Sequence, residues 1–212
     1  MNIGIFGGTF NPVHLGHRNC LISVIDQIKL DRVIVMPDRI PPHKAAQELA
    51  SPEDRLNMCR LAFGDIAVVE FSDWELRQAG KSYSVLTLRH LKKLYPDDKL
   101  FFIMGSDMLL SFEQWYRYEE ILSLASLACV ARLDEDIDKL EPFAEILRAK
   151  NGEVFIIRTE PFDISSSKIR DMLKKNLDCS CYLDKNVVQY IVDKNLYDRG
   201  FTIGGQKSYR SL

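Results

Sequence analysis

Residues 2–17 read Asn-Ile-Gly-Ile-Phe-Gly-Gly-Thr-Phe-Asn-Pro-Val-His-Leu-Gly-His, and this stretch decides the fold. Residues 2–6 predict a short buried strand, and Gly7 and Gly8 let the backbone turn tightly or approach a ligand. Apolar residues at helical spacing then predict an amphipathic helix over about 16–28. A strand, a glycine turn and a helix in this order place the helix N-terminus over the carboxyl end of the strand, where the helix dipole attracts phosphate.

Two histidines three residues apart, His14 and His17, flank this predicted phosphate site. On pattern alone the stretch could equally be an ordinary loop between a strand and a helix, with two hydrogen-bonded imidazoles. His-x-x-His spacing can also bind one zinc ion. The sequence offers no HExxH pattern, no cysteine pair and no nearby acidic ligand in support of zinc, so we predict no metal site built from protein side chains.

Length, composition and charge narrow the class of protein. The 212 residues include 28 basic and 30 acidic ones, for a net charge of -2. We therefore expect small-molecule partners and no nucleic acid, because a nucleic-acid binder needs a basic surface. No leader pattern or apolar run of membrane-spanning length occurs, and the five cysteines form no CxxC pair, so we expect a cytoplasmic protein with no membrane partner. Assembly into a homo-oligomer is compatible with the sequence.

Apolar runs alternate with amphipathic segments along the rest of the chain. Further strands are predicted at 33–36, 67–71, 100–104, 127–131 and 154–157. This alternation predicts an α/β fold, a Rossmann-like doubly wound parallel sheet with helices on both faces. We expect one domain over 1–199, followed by a flexible tail over 200–212 that lacks periodicity.

Two predicted loops bring polar groups to the carboxyl edge of this sheet. Lys44 lies in a proline-rich loop after the second strand, where it could contact phosphate or simply be solvated. Gly105 and Asp107 follow the strand at 100–104, and a carboxylate there can accept hydrogen bonds from ribose hydroxyls. Ligands bind parallel sheets beyond the carboxyl ends of the strands, which makes this edge the predicted site.

Two other segments carry candidate binding groups. Ser165, Ser166 and Arg170 lie at a predicted helix start, which suits a second phosphate contact but is also a common capping pattern. Trp115 and Tyr116 are adjacent aromatic residues. Neighbours on a helix or turn point in different directions, so one of these rings can face a cleft and stack on a flat ligand, although packing in the core is the other reading.

Five blocks in this order resemble the nicotinate mononucleotide adenylyltransferase family of bacteria, within the nucleotidyltransferase superfamily. The blocks are 7–17, 41–44, 81–84, 105–107 together with 115–116, and 164–170. Three positions depart from the family pattern: Asn11 replaces a more usual Asp, Ser84 replaces a common Thr, and Leu86 replaces a residue that is often acidic or polar.

The resemblance implies an enzyme of NAD biosynthesis that transfers the adenylyl group of ATP to nicotinate mononucleotide. It implies catalytic roles for His14, His17 and Arg170. The implied ATP contacts are Gly7, Gly8, Thr9, Phe10, His14, His17, Gly105, Asp107, Ser165, Ser166 and Arg170. The implied acceptor contacts are Lys44, Ser84, Trp115 and Tyr116. Mg²⁺ is expected to arrive on the ATP phosphates.

Two alternatives remain at this point. The acceptor could be another small phosphate ester, such as nicotinamide mononucleotide or pantetheine phosphate. The chain could also be a non-enzymatic sensor that binds a nucleotide without turning it over. The sequence pattern favours the enzyme because His14, His17 and Arg170 are all present.

Overall fold

The computed structural model describes residues 1–39, 49–131 and 134–197, with side chains described from 137 onward in the last range. Lys44 and the predicted tail over 200–212 lie outside the described residues. The single domain over 1–199 therefore stays a prediction.

One parallel sheet of six strands forms the centre of the described chain. The strands are β1 (Asn2–Gly8), β2 (Arg32–Pro37), β3 (Val69–Phe71), β4 (Lys99–Gly105), β5 (Ser126–Ala131) and β6 (Val154–Arg158). Their order across the sheet is β3-β2-β1-β4-β5-β6, and every neighbouring pair is parallel. This is the doubly wound order, and it confirms the predicted fold class.

Nine helices of the described residues surround the sheet. They are α1 (Leu15–Ile28), α2 (Pro52–Phe63), α3 (Trp74–Arg77), α4 (Ser84–Leu94), α5 (Ser106–Leu110), α6 (Tyr118–Leu124), α7 (Asp134–Ala149), α8 (Ser166–Lys174) and α9 (Lys185–Asp193). Short 3-10 turns occur at Phe112–Gln114 and Ser180–Tyr182. A membrane-spanning helix is not found in the described part of the chain.

Two apolar cores lie on the opposite faces of the sheet. Alternate β1 residues divide between them, since Ile5 packs in one core and Phe6 in the other. Helices α1, α2, α8 and α9 cover the Phe6 side, and α4 to α7 cover the Ile5 side. Covering on both faces explains why the strands read as continuous apolar runs in the sequence.

The strand order reverses at β1, which pairs with β2 on one side and with β4 on the other. The chain leaves β1 toward one face of the sheet and leaves β4 toward the other, so a crevice opens beyond their carboxyl ends. Phe6 is in register with Ile103, which places Gly7 and Gly105 at the same edge. The predicted loops after these two strands therefore meet at the position where such sheets bind ligands.

Candidate active site

The turn after β1 differs in one respect from the prediction. We expected the strand to end at residue 6, but Gly7 and Gly8 continue it and pair with Met36 and Pro37. The left-handed residue of the turn is Phe10, at φ 48°. Gly8 allows close packing instead of a turn, because a Cβ atom there would lie 3.2 Å from the Phe10 ring.

Gly7 has a different environment from Gly8. A Cβ atom added there would have its nearest described neighbour, the Met36 carbonyl oxygen, at 3.9 Å, which is an ordinary contact. Packing against the described protein does not demand glycine at this position. Space above the Gly7 main chain suits a ligand that approaches the backbone closely.

Phe10 is a core residue. Its ring is 2% exposed and contacts the rings of Phe6, Phe63 and His17 at centroid distances of 5.4, 6.2 and 5.3 Å. A nucleotide could meet Phe10 only through its main chain. The buried ring also fixes one face of His17 and so connects the turn to the apolar core.

His14 and His17 cap the helix α1 reciprocally. The His17 N–H donates to His14 Nδ1 at 3.3 Å, and the His14 N–H donates to His17 Nδ1 at 3.2 Å. Because Nδ1 is the acceptor in both rings, each neutral imidazole carries its proton on Nε2. The rings lie 3.7 Å apart between centroids. The pair therefore presents two Nε2–H donors at the helix N-terminus.

Gly16 provides the room that this arrangement needs. A Cβ atom there would lie 3.0 Å from His14 Nδ1 and 3.3 Å from the Phe162 ring. Contacts of that length would push the His14 ring away from the start of α1. Glycine at this position therefore leaves the His14 ring in place beside the His17 ring.

The start of α8 lies directly against the turn. Ser165 caps this helix by accepting from the Lys168 N–H at 3.2 Å, and the Ser166 hydroxyl donates to the Pro12 carbonyl oxygen at 2.8 Å. Arg170 Nη1 donates to the Asn11 carbonyl oxygen at 2.9 Å. The structure therefore brings together the two predicted phosphate segments, although they lie about 150 residues apart in the chain.

Arg55 of α2 stabilises this turn from the protein interior. It was not among the site residues predicted from the sequence. Arg55 is 1% exposed, and its Nη1 donates to the Thr9 carbonyl oxygen at 2.8 Å and to Asp38 Oδ1 at 3.4 Å. The Thr9 hydroxyl donates to the other Asp38 oxygen at 3.1 Å. Burial lowers the pKa of Arg55, while the Asp38 carboxylate acts in the opposite direction. The sequence signal that could have identified Arg55 is its position as a charged residue on the apolar face of α2.

Replacing Arg55 by methionine is expected to destabilise the protein by about 3 kcal/mol, because a buried ion pair loses its cation and the carbonyl groups of Thr9, Arg39 and Ala50 lose a donor. Urea unfolding measures the change. Arg60→Met is the matched control: Arg60 is on the same helix but exposed, so we expect a change within about 0.5 kcal/mol. An Arg55→Met protein as stable as this control would contradict the role assigned to the buried cation.

Asn11 joins the turn to the last described residues. Its side-chain oxygen accepts from the Ala50 N–H at 3.0 Å and from the Tyr197 hydroxyl at 2.7 Å. Burial raises the pKa of Tyr197, so its phenol stays a neutral donor. Both bonds need an oxygen acceptor, and an asparagine supplies it without adding a negative charge to a predicted phosphate site.

Gly105 and Asp107 lie at the other side of the crevice. Gly105 ends β4, and Asp107 is an exposed residue in the first turn of α5. A Cβ atom on Gly105 would lie 3.1 Å from Asp107 Oδ1, so the glycine leaves room for the carboxylate to fold back over the strand end. The acceptor oxygens of Asp107 are thus held at the carboxyl edge of the sheet.

The two neighbouring aromatic residues have different surroundings. Trp115 is partly buried, with its ring 5.4 Å from that of Phe112 and 5.9 Å from that of Phe102. Tyr116 is 57% exposed and pairs with Tyr83 at 5.1 Å. Trp115 is therefore both a packing residue and a candidate wall of the crevice, whereas Tyr116 is chiefly a surface ring.

Ser84 is the first residue of α4. Among the described residues, Tyr83 occupies the N-cap position and its side chain forms no capping bond to this helix. The amide groups of the first turn therefore have no side-chain partner from the N-cap. Such amides are suited to donate hydrogen bonds to a carboxylate or phosphate of a ligand.

The described residues contain no group of three or more His, Cys, Asp or Glu side chains arranged to bind a metal ion. His14 and His17 use their Nδ1 atoms to accept the main-chain N–H groups that cap α1. The described site therefore offers hydrogen-bond donors and one guanidinium, a set that suits anionic oxygens.

Comparison with known sequences gives a consistent family. The cytidylyltransferase-like family pattern matches residues 5–172. A Shewanella frigidimarina protein named "Probable nicotinate-nucleotide adenylyltransferase" is 37% identical over 211 residues, covering 93% of this chain and all of the relative. A Desulfatibacillum aliphaticivorans protein of the same name is 35% identical, and the alignment covers 93% of this chain and the full length of the relative.

Solved structures show the same fold. The Plasmodium falciparum nicotinic acid mononucleotide adenylyltransferase complexed with NaAD superposes with a TM-score of 0.75 at 23% identity, covering 92% of this chain and 97% of its own. With the doubly wound sheet, the paired histidines and the full-length relatives together, the chain belongs to the cytidylyltransferase-like family and, within it, to the nicotinate-nucleotide adenylyltransferases.

Proposed function

We propose that this protein transfers the adenylyl group of ATP to nicotinate mononucleotide, giving deamido-NAD and pyrophosphate. The observation that carries the proposal is the joining of His14, His17 and Arg170 around one turn at the carboxyl edge of the sheet. The names of the full-length relatives support the same acceptor. The Plasmodium falciparum protein of the same fold, which was solved with NaAD, is consistent with it.

This reaction does not need a strong general base. The attacking group is a phosphate monoester whose second pKa is about 6, so at neutral pH it is mostly dianionic. Catalysis must instead hold two anions together and absorb charge as pyrophosphate leaves. A cluster of neutral and positive donors around a helix N-terminus performs both tasks.

The nucleotide would lie over the β1 turn. In this arrangement the Nε2–H groups of His14 and His17 donate to the phosphates, and the Gly7 and Gly8 main chain allows close approach. Asp107 accepts from the ribose or adenine side. The Thr9 hydroxyl donates to Asp38, so Thr9 contributes chiefly through its main chain.

Ser165, Ser166 and Arg170 would together form the site for the outer phosphates. The two serine hydroxyls form hydrogen bonds that cap and dock α8, so their part is to set the helix start against the turn. A guanidinium has five N–H donors, and Arg170 can therefore hold the Asn11 carbonyl and a phosphate oxygen together.

A divalent cation, which we expect to be Mg²⁺, would arrive on the nucleotide. The described donor set fits this route, because it supplies nitrogen donors for phosphate oxygens instead of a carboxylate cage for the ion. When bound, the cation neutralises phosphate charge. The protein side chains position the two substrates around it.

The acceptor would bind between β4 and α4. Trp115 stacks on the pyridine ring, and the main-chain N–H groups of Ser84 and Tyr116 receive its carboxylate. Lys44, proposed for the acceptor phosphate, lies in the segment that the structure does not describe. Leu86, at the family's often polar position, is 42% exposed on α4 and so stays on the surface.

Replacing Trp115 by leucine is expected to raise the KM for nicotinate mononucleotide by about tenfold, because stacking on the ring is lost while the apolar contact with Phe112 is partly kept. The KM for ATP should stay unchanged. Steady-state kinetics with each substrate varied measures both constants. Phe112→Leu is the control for packing loss alone, and equal damage to both KM values in the Trp115 variant would assign that residue to the core.

Pyrophosphate release tests the proposed acceptor. The protein is incubated with Mg-ATP and, in separate reactions, nicotinate mononucleotide, its nicotinamide analogue and pantetheine phosphate. We expect release to be fastest with nicotinate mononucleotide. If release is fastest with pantetheine phosphate, the acceptor is pantetheine phosphate and the proposed acceptor is wrong. If ATP binds but no reaction releases pyrophosphate, the protein is a nucleotide sensor.

A further inference from the structure

Glu75 is a buried carboxylate to which the proposed reaction gives no part. It belongs to the short helix α3 and is 9% exposed. The Thr87 hydroxyl donates to Glu75 Oε1 at 2.5 Å. Burial raises the pKa of Glu75, and the nearby Thr87 and Ser82 hydroxyl groups partly offset that increase. A buried acid with this environment calls for an explanation in the fold or the function.

The two hydroxyl groups lie on either side of Ser84. Ser82 is two residues before it, and Thr87 is one turn into α4. The Glu75 carboxylate is therefore bonded to the first turn of α4, and Ser82 places the entry to that helix beside it. The main-chain N–H of Ser84 lies between these two positions in the sequence.

The same group of contacts extends to Arg39, which follows the end of β2. The Ser82 hydroxyl oxygen accepts from the Arg39 N–H at 3.1 Å, and the Arg39 guanidinium donates to the Gln78 carbonyl oxygen. The Arg39 carbonyl oxygen in turn accepts from the buried Arg55 at 3.3 Å. These contacts connect the start of α4 with Arg55, which stabilises the turn after β1.

A second contact fixes α3 against α4 independently of the carboxylate. The rings of Trp74 and His90 stack at a centroid distance of 4.4 Å with an interplanar angle of 11°. Loss of the Glu75 bonds should therefore leave α3 in place. The effect would be confined to the precise position of residues 82–87.

We propose that Glu75 is a positioning residue that fixes the Ser84 N–H against the acceptor and thereby sets the preference for an acceptor carboxylate over a carboxamide. This inference rests on the proposed function. An N–H group in a fixed position binds a carboxylate strongly, because the hydrogen bond is charge-assisted. A carboxamide gains less from the same donor and presents an N–H₂ group that cannot accept, so it depends less on the geometry.

Glu75→Gln tests the proposal. Glutamine keeps the size of the side chain but removes its negative charge, so the bond from the Thr87 hydroxyl is no longer charge-assisted. We expect the ratio of kcat/KM for nicotinate over nicotinamide mononucleotide to fall by about tenfold, the loss of one charge-assisted bond. The KM for ATP and the urea midpoint should stay near the wild-type values.

Glu153→Gln is the matched control. Glu153 also accepts from a serine hydroxyl, that of Ser126, but it precedes β6 at the opposite edge of the sheet. Its replacement should leave the ratio unchanged. Thr87→Val serves as a second variant if Glu75→Gln fails to fold, since it removes one donor and keeps the carboxylate, and it should lower the ratio in the same direction.

The outcomes separate this inference from the proposed function. An active wild-type enzyme whose acceptor ratio is unaltered by both Glu75→Gln and Thr87→Val overturns the role of Glu75 alone. Parallel losses for both acceptors and for ATP, with a lower urea midpoint, make Glu75 a purely structural residue and also overturn it. A wild-type protein that does not adenylylate nicotinate mononucleotide overturns the proposed function and this inference together.

Discussion

His17→Ala is expected to lower kcat by about 10²-fold or more while the protein stays folded, as loss of a preorganised transition-state donor does. The His17 Nε2–H is the donor removed. The substitution also removes the acceptor for the His14 N–H, which should cost about 1 kcal/mol of stability. Turnover with saturating substrates and urea unfolding measure the two effects separately.

Two further variants distinguish the phosphate contact from the helix cap. Asn at position 17 can place an oxygen where Nδ1 accepts from His14, but it does not reach the Nε2 position. Gln reaches toward the Nε2 position and carries a donor there. We expect His17→Asn to be stable but as slow as His17→Ala, and His17→Gln to recover part of the rate. Near-normal turnover in a folded His17→Ala enzyme would contradict the catalytic role.

Arg170→Ala is expected to lower kcat/KM for ATP by about 10²-fold, because a charge-assisted clamp on the outer phosphates is lost. The Asn11 carbonyl also loses a donor. Steady-state kinetics with ATP varied at saturating acceptor measures the loss. The KM for the acceptor should change much less, since Arg170 lies on the α8 side of the crevice.

Arg170→Lys is the matched control for charge. Lysine keeps the positive charge but cannot form the planar fork that holds a carbonyl and a phosphate together. We expect a loss intermediate between wild type and Arg170→Ala. Normal ATP kinetics in Arg170→Ala would show that the residue only docks α8 on the turn.

The sheet was predictable because its signals are local. Strands buried on both faces read as apolar runs, and alternation with helices implies parallel pairing, so the fold class could be predicted and is confirmed. The end of β1 was wrong by two residues. Glycine pairs normally suggest a turn, but here Gly7 and Gly8 keep their ladder partners in β2, a contact that depends on residues 29 positions away.

The site was predictable to the level of segments. Loops that follow parallel strands share one edge, so residues near 7, 105 and 165 could be expected to meet. What each side chain does there could not be predicted, because it depends on partners that only the fold brings near. The capping role of the His14 and His17 Nδ1 atoms and the burial of Arg55 are of this kind.

The aromatic pair shows the same limit. Adjacent positions predicted that one ring could face a cleft, but Phe102 of β4, which packs on Trp115, is distant in the chain. Glu75 likewise gives no sign in the sequence of its bond to Thr87, twelve residues later. Buried polar contacts become visible only when the elements are packed.

Transfer of label from ATP tests the central proposal most directly. The wild-type protein is incubated with nicotinate mononucleotide and Mg-ATP that carries a radioactive α-phosphate, and the products are separated. Attack on the α-phosphorus predicts that the label appears in deamido-NAD and that pyrophosphate is released unlabelled in equal amount. Label recovered only in AMP, ADP or unreacted ATP, with no dinucleotide formed, would contradict the proposed function.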